Sequence, residues 1–125
     1  MEKRTINNSK EDYLEVILIQ TKIAGACRVT DIAKRMGVSK ASASVAIKKL
    51  EDDKCVLRDD WRIVFTDTGK KIAEQVYERH RFFEEWFLKI GVSEKNAAED
   101  ACRIEHILSE ETYTKIKKYI KSMKK

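Results

Sequence analysis

Thr30-Asp31-Ile32-Ala33-Lys34-Arg35-Met36-Gly37, followed after Val38 by Ser39-Lys40-Ala41-Ser42-Ala43-Ser44, is the stretch on which the fold turns. Thr30 suits a helix N-cap and Gly37 a helix stop, so the first part reads as a short helix. Ser39 is a second N-cap, and the segment from there to about Asp53 carries Ala43, Ala46, Ile47 and Leu50 as one apolar stripe. Two short helices joined by a glycine-containing turn form the helix-turn-helix pattern, whose second helix enters the DNA major groove. An ordinary αα-hairpin has the same spacing. The side chains favour DNA: Ser39, Lys40, Ser42 and Ser44 are small or basic hydrogen-bonding groups on the first turns, and Lys48 and Lys49 suit phosphates. Arg28 and Thr30, at the start of the preceding helix, join them as candidate contacts.

The residues that follow support this reading. Lys54-Cys55-Val56-Leu57-Arg58 and Arg62-Ile63-Val64-Phe65-Thr66 are the segments richest in β-formers, and they flank the turn-like Asp59-Asp60-Trp61. A hairpin directly after a recognition helix is a wing. Arg58 and Arg62 are placed to meet backbone or minor groove, whereas the acidic tip is not.

On either side the pattern is helical. Ser9-Lys10-Glu11-Asp12 looks like a helix start with Ser9 as N-cap, and the helix should run to about Lys22 with apolar residues around most of its circumference. Asp12 and Glu15 sit at i, i+3 on it, as a helix-capping acid and its neighbour or as a ligand pair. Thr68 to Lys89 reads as a long helix closed by Gly91, with Ile72, Val76, Phe83, Phe87 and Ile90 as its stripe and His80 off the stripe's centre. Ser93 starts a helix expected to reach Leu108, with Ala97, Ala101, Ile104 and Leu108 inward. Ser109 starts a last one, with Tyr113, Ile116, Tyr119, Ile120 and Met123 inward. Lysines from Lys115 to Lys125 cover its other side.

The composition agrees. The 125 residues contain no proline and four glycines, which argues for mostly helix. A net charge of +5 permits nucleic-acid binding without requiring it. Cys27, Cys55 and Cys102 are odd in number and lack close pairing, which disfavours a disulfide framework or a zinc knuckle and fits a reducing compartment. The longest apolar run, Val16 to Ile19, is too short to span a bilayer, and no signal-peptide pattern opens the chain. The expectation is a cytoplasmic protein with no membrane partner.

One stretch calls for chemistry beyond DNA binding. In Cys102-Arg103-Ile104-Glu105-His106, a helical turn of about 100° per residue puts Cys102, Glu105 and His106 at i, i+3 and i+4 on one face. On the long helix, His80 is followed four residues later by Glu84. Mixed N, O and S donors suit a first-row transition ion better than calcium or magnesium. Taken singly, such a residue is usually a solvated surface group or, for the thiol, a small buried hydrophobe, and it is their combination that points to a metal.

The order of parts resembles the diphtheria-toxin-repressor and manganese-transport-regulator family of metal-dependent transcriptional repressors, over nearly the whole chain. The resemblance rests on Glu11-Asp12-Tyr13-Leu14-Glu15, Val29-Thr30-Asp31-Ile32-Ala33, Thr66-Asp67-Thr68-Gly69, Arg79-His80-Arg81 and Ala101-Cys102-Arg103-Ile104-Glu105-His106-Ile107-Leu108-Ser109. It implies homodimers that bind palindromic operators in double-stranded DNA when loaded with Mn2+ or Fe2+. It also implies metal ligands at Asp12, Glu15, His80, Cys102, Glu105 and His106, with Glu84 available to a second ion. Asp12 follows the manganese branch and Cys102 the iron branch, so the pattern is mixed. The chain resembles the short form, without the barrel-like C-terminal domain of the larger members.

The expected architecture is therefore mainly α. A winged helix-turn-helix DNA-binding domain with a two-stranded wing occupies residues 1–73, and a helical metal-binding and dimerisation domain occupies residues 74–125. In the expected mechanism, metal held by donors from both domains favours the DNA-binding state. The alternatives are a metal-independent winged-helix regulator sensing oxidation through Cys102, and a metalloenzyme. The second lacks any nucleophile, oxyanion loop or phosphate-cradling glycine run.

Overall fold

In the computed structural model, residues 6–123 are described, with side chains from Ser9 onward. Among them are six helices and one hairpin: α1 (Ile6–Ala24), α2 (Val29–Met36), α3 (Lys40–Asp52), β1 (Val56–Asp59), β2 (Arg62–Phe65), α4 (Asp67–Lys89), α5 (Glu94–Ile104) and α6 (Glu110–Ser122). The chain divides into two compact units, Met1–Gln75 and Val76–Lys125, the division falling within α4. Lys124 and Lys125 of the basic tail, and residues 1–5 at the other end, lie outside the described residues. No described helix is long and apolar enough to cross a membrane.

In the N-terminal unit, α1 packs on α2 and α3, and α3 packs on β1. The buried residues come from every element: Leu14, Ile17 and Leu18 from α1, Ile32 and Ala33 from α2, Ala43, Ile47 and Leu50 from α3, and Val56 and Ile63 from the wing. Each fully buried Leu, Ile or Val contributes about 1.5–3 kcal/mol. Gly37 closes α2 in the left-handed region (φ 69°), and its N–H bonds back to Lys34 O. The Ser39 hydroxyl accepts the Ser42 N–H at 3.0 Å and starts α3 as expected.

Two helix starts differ from expectation. Helix α1 begins at Ile6, so Ser9 lies inside it and caps nothing, and Asp12 stands well beyond the first turn. Serine and asparagine at the start of a helical run favour a cap, but nothing breaks the helix among residues 6–9, and it extends backward through them. Helix α2 is capped by Arg28 rather than Thr30: the Asp31 carboxylate accepts the Arg28 N–H at 3.0 Å, so the acid at the third helical position supplies the terminal hydrogen bond from inside.

The wing is antiparallel, with Val56 opposite Phe65 and Asp59 opposite Arg62, and Asp60 at the tip takes a left-handed conformation (φ 62°). Its base is tied down on both sides. The Ile63 N–H donates to Cys27 O (2.8 Å), linking β2 to the segment before α2. The Thr66 N–H donates to Cys55 O (3.0 Å), and the Thr66 hydroxyl donates to Lys54 O (2.7 Å) while accepting the Gly69 N–H (3.1 Å). Thr66 thus anchors the wing and caps α4, which begins at Asp67. Gly69 passes so close that a β-carbon there would lie 1.9 Å from Cys55 O.

The C-terminal unit is built around Phe83, Ala101 and Tyr113, with Phe82, Trp86, Phe87, Ile104, Leu108 and Ile116 packed against them. Phe82 meets Phe83 and Tyr113 edge to face, at centroid distances of 5.1 and 5.7 Å. Ser93 and Ser109 cap α5 and α6 through the Asn96 and Thr112 N–H groups. The expected stripes are only partly inward: Ile90, past the end of α4, is exposed, as are Tyr119 of α6 and Met123 just beyond it. The largest correction is α5, which ends at Ile104 rather than Leu108. Residues 105–107 form a tighter turn, closed by His106 N–H to Arg103 O and Ile107 N–H to Ile104 O.

Replacing Gly69 by alanine should destabilise the N-terminal unit by about 3 kcal/mol, because backbone rather than a flexible side chain must yield. A lowered midpoint in urea unfolding is the expected result.

Candidate metal centre and nucleic-acid interface

In the C-terminal unit α4 carries His80 and Glu84 one turn apart, with His80 Nε2 3.1 Å from Glu84 Oε1. The other ring nitrogen, Nδ1, lies 3.0 Å from Glu105 Oε1. His80 therefore stands between two carboxyl groups, and its ring can donate to both only when protonated. Across the end of α5, a Cys102 Sγ, a Glu105 oxygen and a His106 ring nitrogen lie within 4.8 Å of one another. The Glu105 and His106 side chains are 0% and 1% exposed, deeper than a position bordering the packed seam. Glu105 keeps near-helical backbone angles (φ −61°, ψ −24°), and the turn after it carries His106.

Glu105 Oε2 is the atom that bears on a metal. It is buried and makes no hydrogen bond, and His106 Nε2, 3.2 Å away, is out of hydrogen-bonding alignment with it. A shielded oxygen without a hydrogen bond costs roughly 1–3 kcal/mol unless something else satisfies it. Beside it are imidazole, thiol and carboxyl donors, a set that suits manganese, iron, zinc or copper and not an all-oxygen cation. These residues fit a first-row divalent ion.

Arg79, which sequence reading passed over except as part of a motif, holds the turn in shape. Its side chain is 13% exposed, and it donates to Glu105 O (3.2 Å), Leu108 O (2.8 Å) and Glu110 Oε1 (2.8 Å). The guanidinium lies 4.7 Å from the centroid of the Tyr113 ring. One residue of α4 thereby satisfies carbonyls left without partners where α5 stops early. The bonded residues lie more than twenty positions along the chain, so no local sequence pattern reveals them.

In the N-terminal unit, Asp12 and Glu15 sit at i, i+3 on α1 and both are buried. With α1 starting at Ile6, Asp12 is not a helix cap, which removes the capping alternative.

The candidate DNA contacts lie mostly on open surface. Thr30, Lys40, Ser42, Lys48 and Lys49 are exposed and Ser44 is partly so, whereas the Ser39 hydroxyl is occupied at the cap and also donates to Ser42 Oγ (3.1 Å). Several of the basic groups are already paired: Lys48 with Asp52 (3.4 Å), Arg58 with Glu51 (3.1 Å) and Arg62 with Asp59 (2.7 Å). The wing arginines are therefore partly neutralised, a consequence of folding that their positions in the sequence did not reveal. Trp61, read in the sequence as part of the turn, presents its ring beside Arg28 and Arg62.

Reading DNA with one unit while binding metal in another is the work of a metal-responsive transcriptional regulator. The family descriptions that match are those of the iron dependent repressor, its N-terminal DNA binding domain over residues 5–57 and its metal binding and dimerisation domain over residues 66–125. The chain belongs to the iron dependent repressor family of metal-dependent, DNA-binding transcriptional regulators. It is 38% identical over 102 residues to the HTH-type transcriptional regulator MntR of Geobacillus thermodenitrificans (strain NG80-2), covering 81% of this chain and 72% of the relative. The same values hold for MntR of Geobacillus kaustophilus (strain HTA426). Among solved structures it resembles the manganese regulator SloR (27% identity, TM-score 0.79) and the metal-dependent transcriptional regulator MtsR (25%, 0.80). Each match covers 90% of this chain and 53% of the other, so this chain spans about half the length of those regulators.

Replacing Arg79 by methionine should lower stability by about 2–3 kcal/mol, since two carbonyls lose a charged donor. Replacing Glu110, whose side chain is 78% exposed, should cost under about 1 kcal/mol. Paired thermal melts test the contrast.

The thiols should also separate by reactivity. Burial, reinforced by the nearby Asp31 carboxylate, pushes Cys27 up to about 12, and Cys55 is buried too. Iodoacetamide at pH 8 should label half-buried Cys102 first and Cys27 only after unfolding, as read by peptide mass spectrometry.

Proposed function

We propose that this chain represses transcription from palindromic operators when it binds manganese or ferrous iron. The gathering of donors on the buried Glu105 carboxyl group, with His80 at Oε1 and with Cys102 and His106 close to the carboxyl group whose Oε2 lacks a hydrogen bond, in a chain that also carries a winged helix-turn-helix, supports the reading best. These four residues serve as ligands together with Asp12 and Glu15, which enter on their i, i+3 spacing and their burial. Glu84, beside His80, is available to a second ion. The bound ion supplies positive charge among these donors, and Arg79 keeps the turn that carries two of them in place.

Residues 1–73 act as the DNA-binding domain and residues 74–125 as the metal-binding and dimerisation domain. Ser42, Ser44 and Lys40 on α3 face bases and phosphates. Arg28, Thr30, Lys48, Lys49, Arg58 and Arg62 hold the backbone, and Ser39 acts mainly by fixing the start of α3. The chain works as a homodimer in the cytoplasm, by binding and not by catalysis. Exposed Ile107, Tyr119 and Met123 give the C-terminal unit apolar surface for a second copy. For an ion to regulate, it must bind the operator-competent state more tightly. A difference of about 1–3 kcal/mol changes operator affinity roughly 5–150-fold.

A gel-shift titration on the DNA upstream of its own gene, run with manganese, ferrous iron, zinc and chelator, tests this reading. Binding should tighten at least fivefold with manganese or iron over chelator, and His106→Ala should abolish the gain. Manganese should also slow alkylation of Cys102. Equal affinity in metal and chelator would sink the proposal in favour of a metal-independent regulator.

A further inference from the structure

Trp61 stands at the tip of the wing with 49% of its surface exposed. The guanidinium carbon of Arg28 lies 4.5 Å from the centroid of its ring, and that of Arg62 lies 5.7 Å away. The two arginines are not equivalent. Arg62 is paired with Asp59, whereas among the described residues no carboxylate pairs with the Arg28 guanidinium. Asp31, the nearest acid in sequence, is engaged by the Arg28 backbone N–H instead.

The backbone keeps the arrangement in register. The Ile63 N–H bonds to Cys27 O, so the residues next to Trp61 on β2 are fixed beside the residue before Arg28. Arg28 in turn caps α2, an end that carries partial positive charge and, in helix-turn-helix proteins, lies where the first helix crosses the DNA backbone. A guanidinium stacked on an aromatic face keeps its in-plane N–H donors free, and a phosphate accepts them in pairs.

We propose that Trp61 is a positioning residue for DNA binding: its indole holds the Arg28 guanidinium out from the start of α2, where Arg28 takes one backbone phosphate. The wing then contributes by aiming a cation that belongs to another element, as well as by its own arginines. This rests on the DNA-binding reading above.

The test is a double-mutant cycle on the full chain, with manganese present and a fluorescent duplex from the DNA upstream of its own gene, measured by anisotropy at several potassium chloride concentrations. Arg28→Ala should weaken binding about tenfold and reduce the slope of log affinity against log salt by about 1 per bound subunit. Trp61→Leu should reproduce most of both losses with an unchanged melting temperature, Trp61→Phe should restore them, and Trp61→Leu should cost nothing further once Arg28 is alanine. Equal cost of Trp61→Leu with and without Arg28, or an unchanged salt slope, overturns the proposal. Wild-type protein that binds no DNA overturns the DNA-binding reading and this proposal together. Normal wild-type binding with no effect of Trp61→Leu overturns this proposal alone.

Discussion

A carboxyl group shut away from water has to be answered by something, and Glu105 is such a group. One oxygen meets His80, and the other has an imidazole nearby but no hydrogen bond. Burying that group with incomplete satisfaction is unfavourable for stability alone, which is why the surrounding nitrogen and sulfur donors are read as a place for a cation rather than as packing. The turn that carries Glu105 and His106 owes its shape to Arg79, so the chemistry of the C-terminal unit depends on a residue that is not itself a donor.

The N-terminal unit works under a different constraint, because the wing is a two-stranded hairpin and such a hairpin is marginal by itself. It is held by backbone hydrogen bonds at its base, to Cys27 on one side and through Thr66 on the other, and by the close passage of Gly69. These ties make the wing part of the same body as α2. They also give the wing tip a fixed relation to Arg28, so that an aromatic residue at the tip can influence a cation at a helix start.

Much of the fold was legible because its signals are local. Ser39, Ser93 and Ser109 each accept an N–H three residues ahead, and Gly37 and Gly91 take the left-handed conformation that ends a helix. These interactions are complete within one turn of chain, so the sequence contains all of their parts. Where local signals compete, the reading slipped: Ser9 and Thr30 had the chemistry of caps, but α1 began earlier and Asp31 closed α2 from within.

The sequence by itself determined the element order, the helix-turn-helix with its wing, and which residue types could hold a metal or meet DNA, because periodicity and capping act over a few residues. Tertiary structure alone decided that α5 stops at Ile104, that Arg79 clamps the turn beyond it, that Arg58 and Arg62 spend charge on Glu51 and Asp59, and that Trp61 stands beside Arg28. Apart from the adjacent pair of Arg62 and Asp59, each of these depends on groups brought together from different elements. Hydrogen bonds, ion pairs and ring contacts of that kind follow distance in space, which the order of residues does not specify.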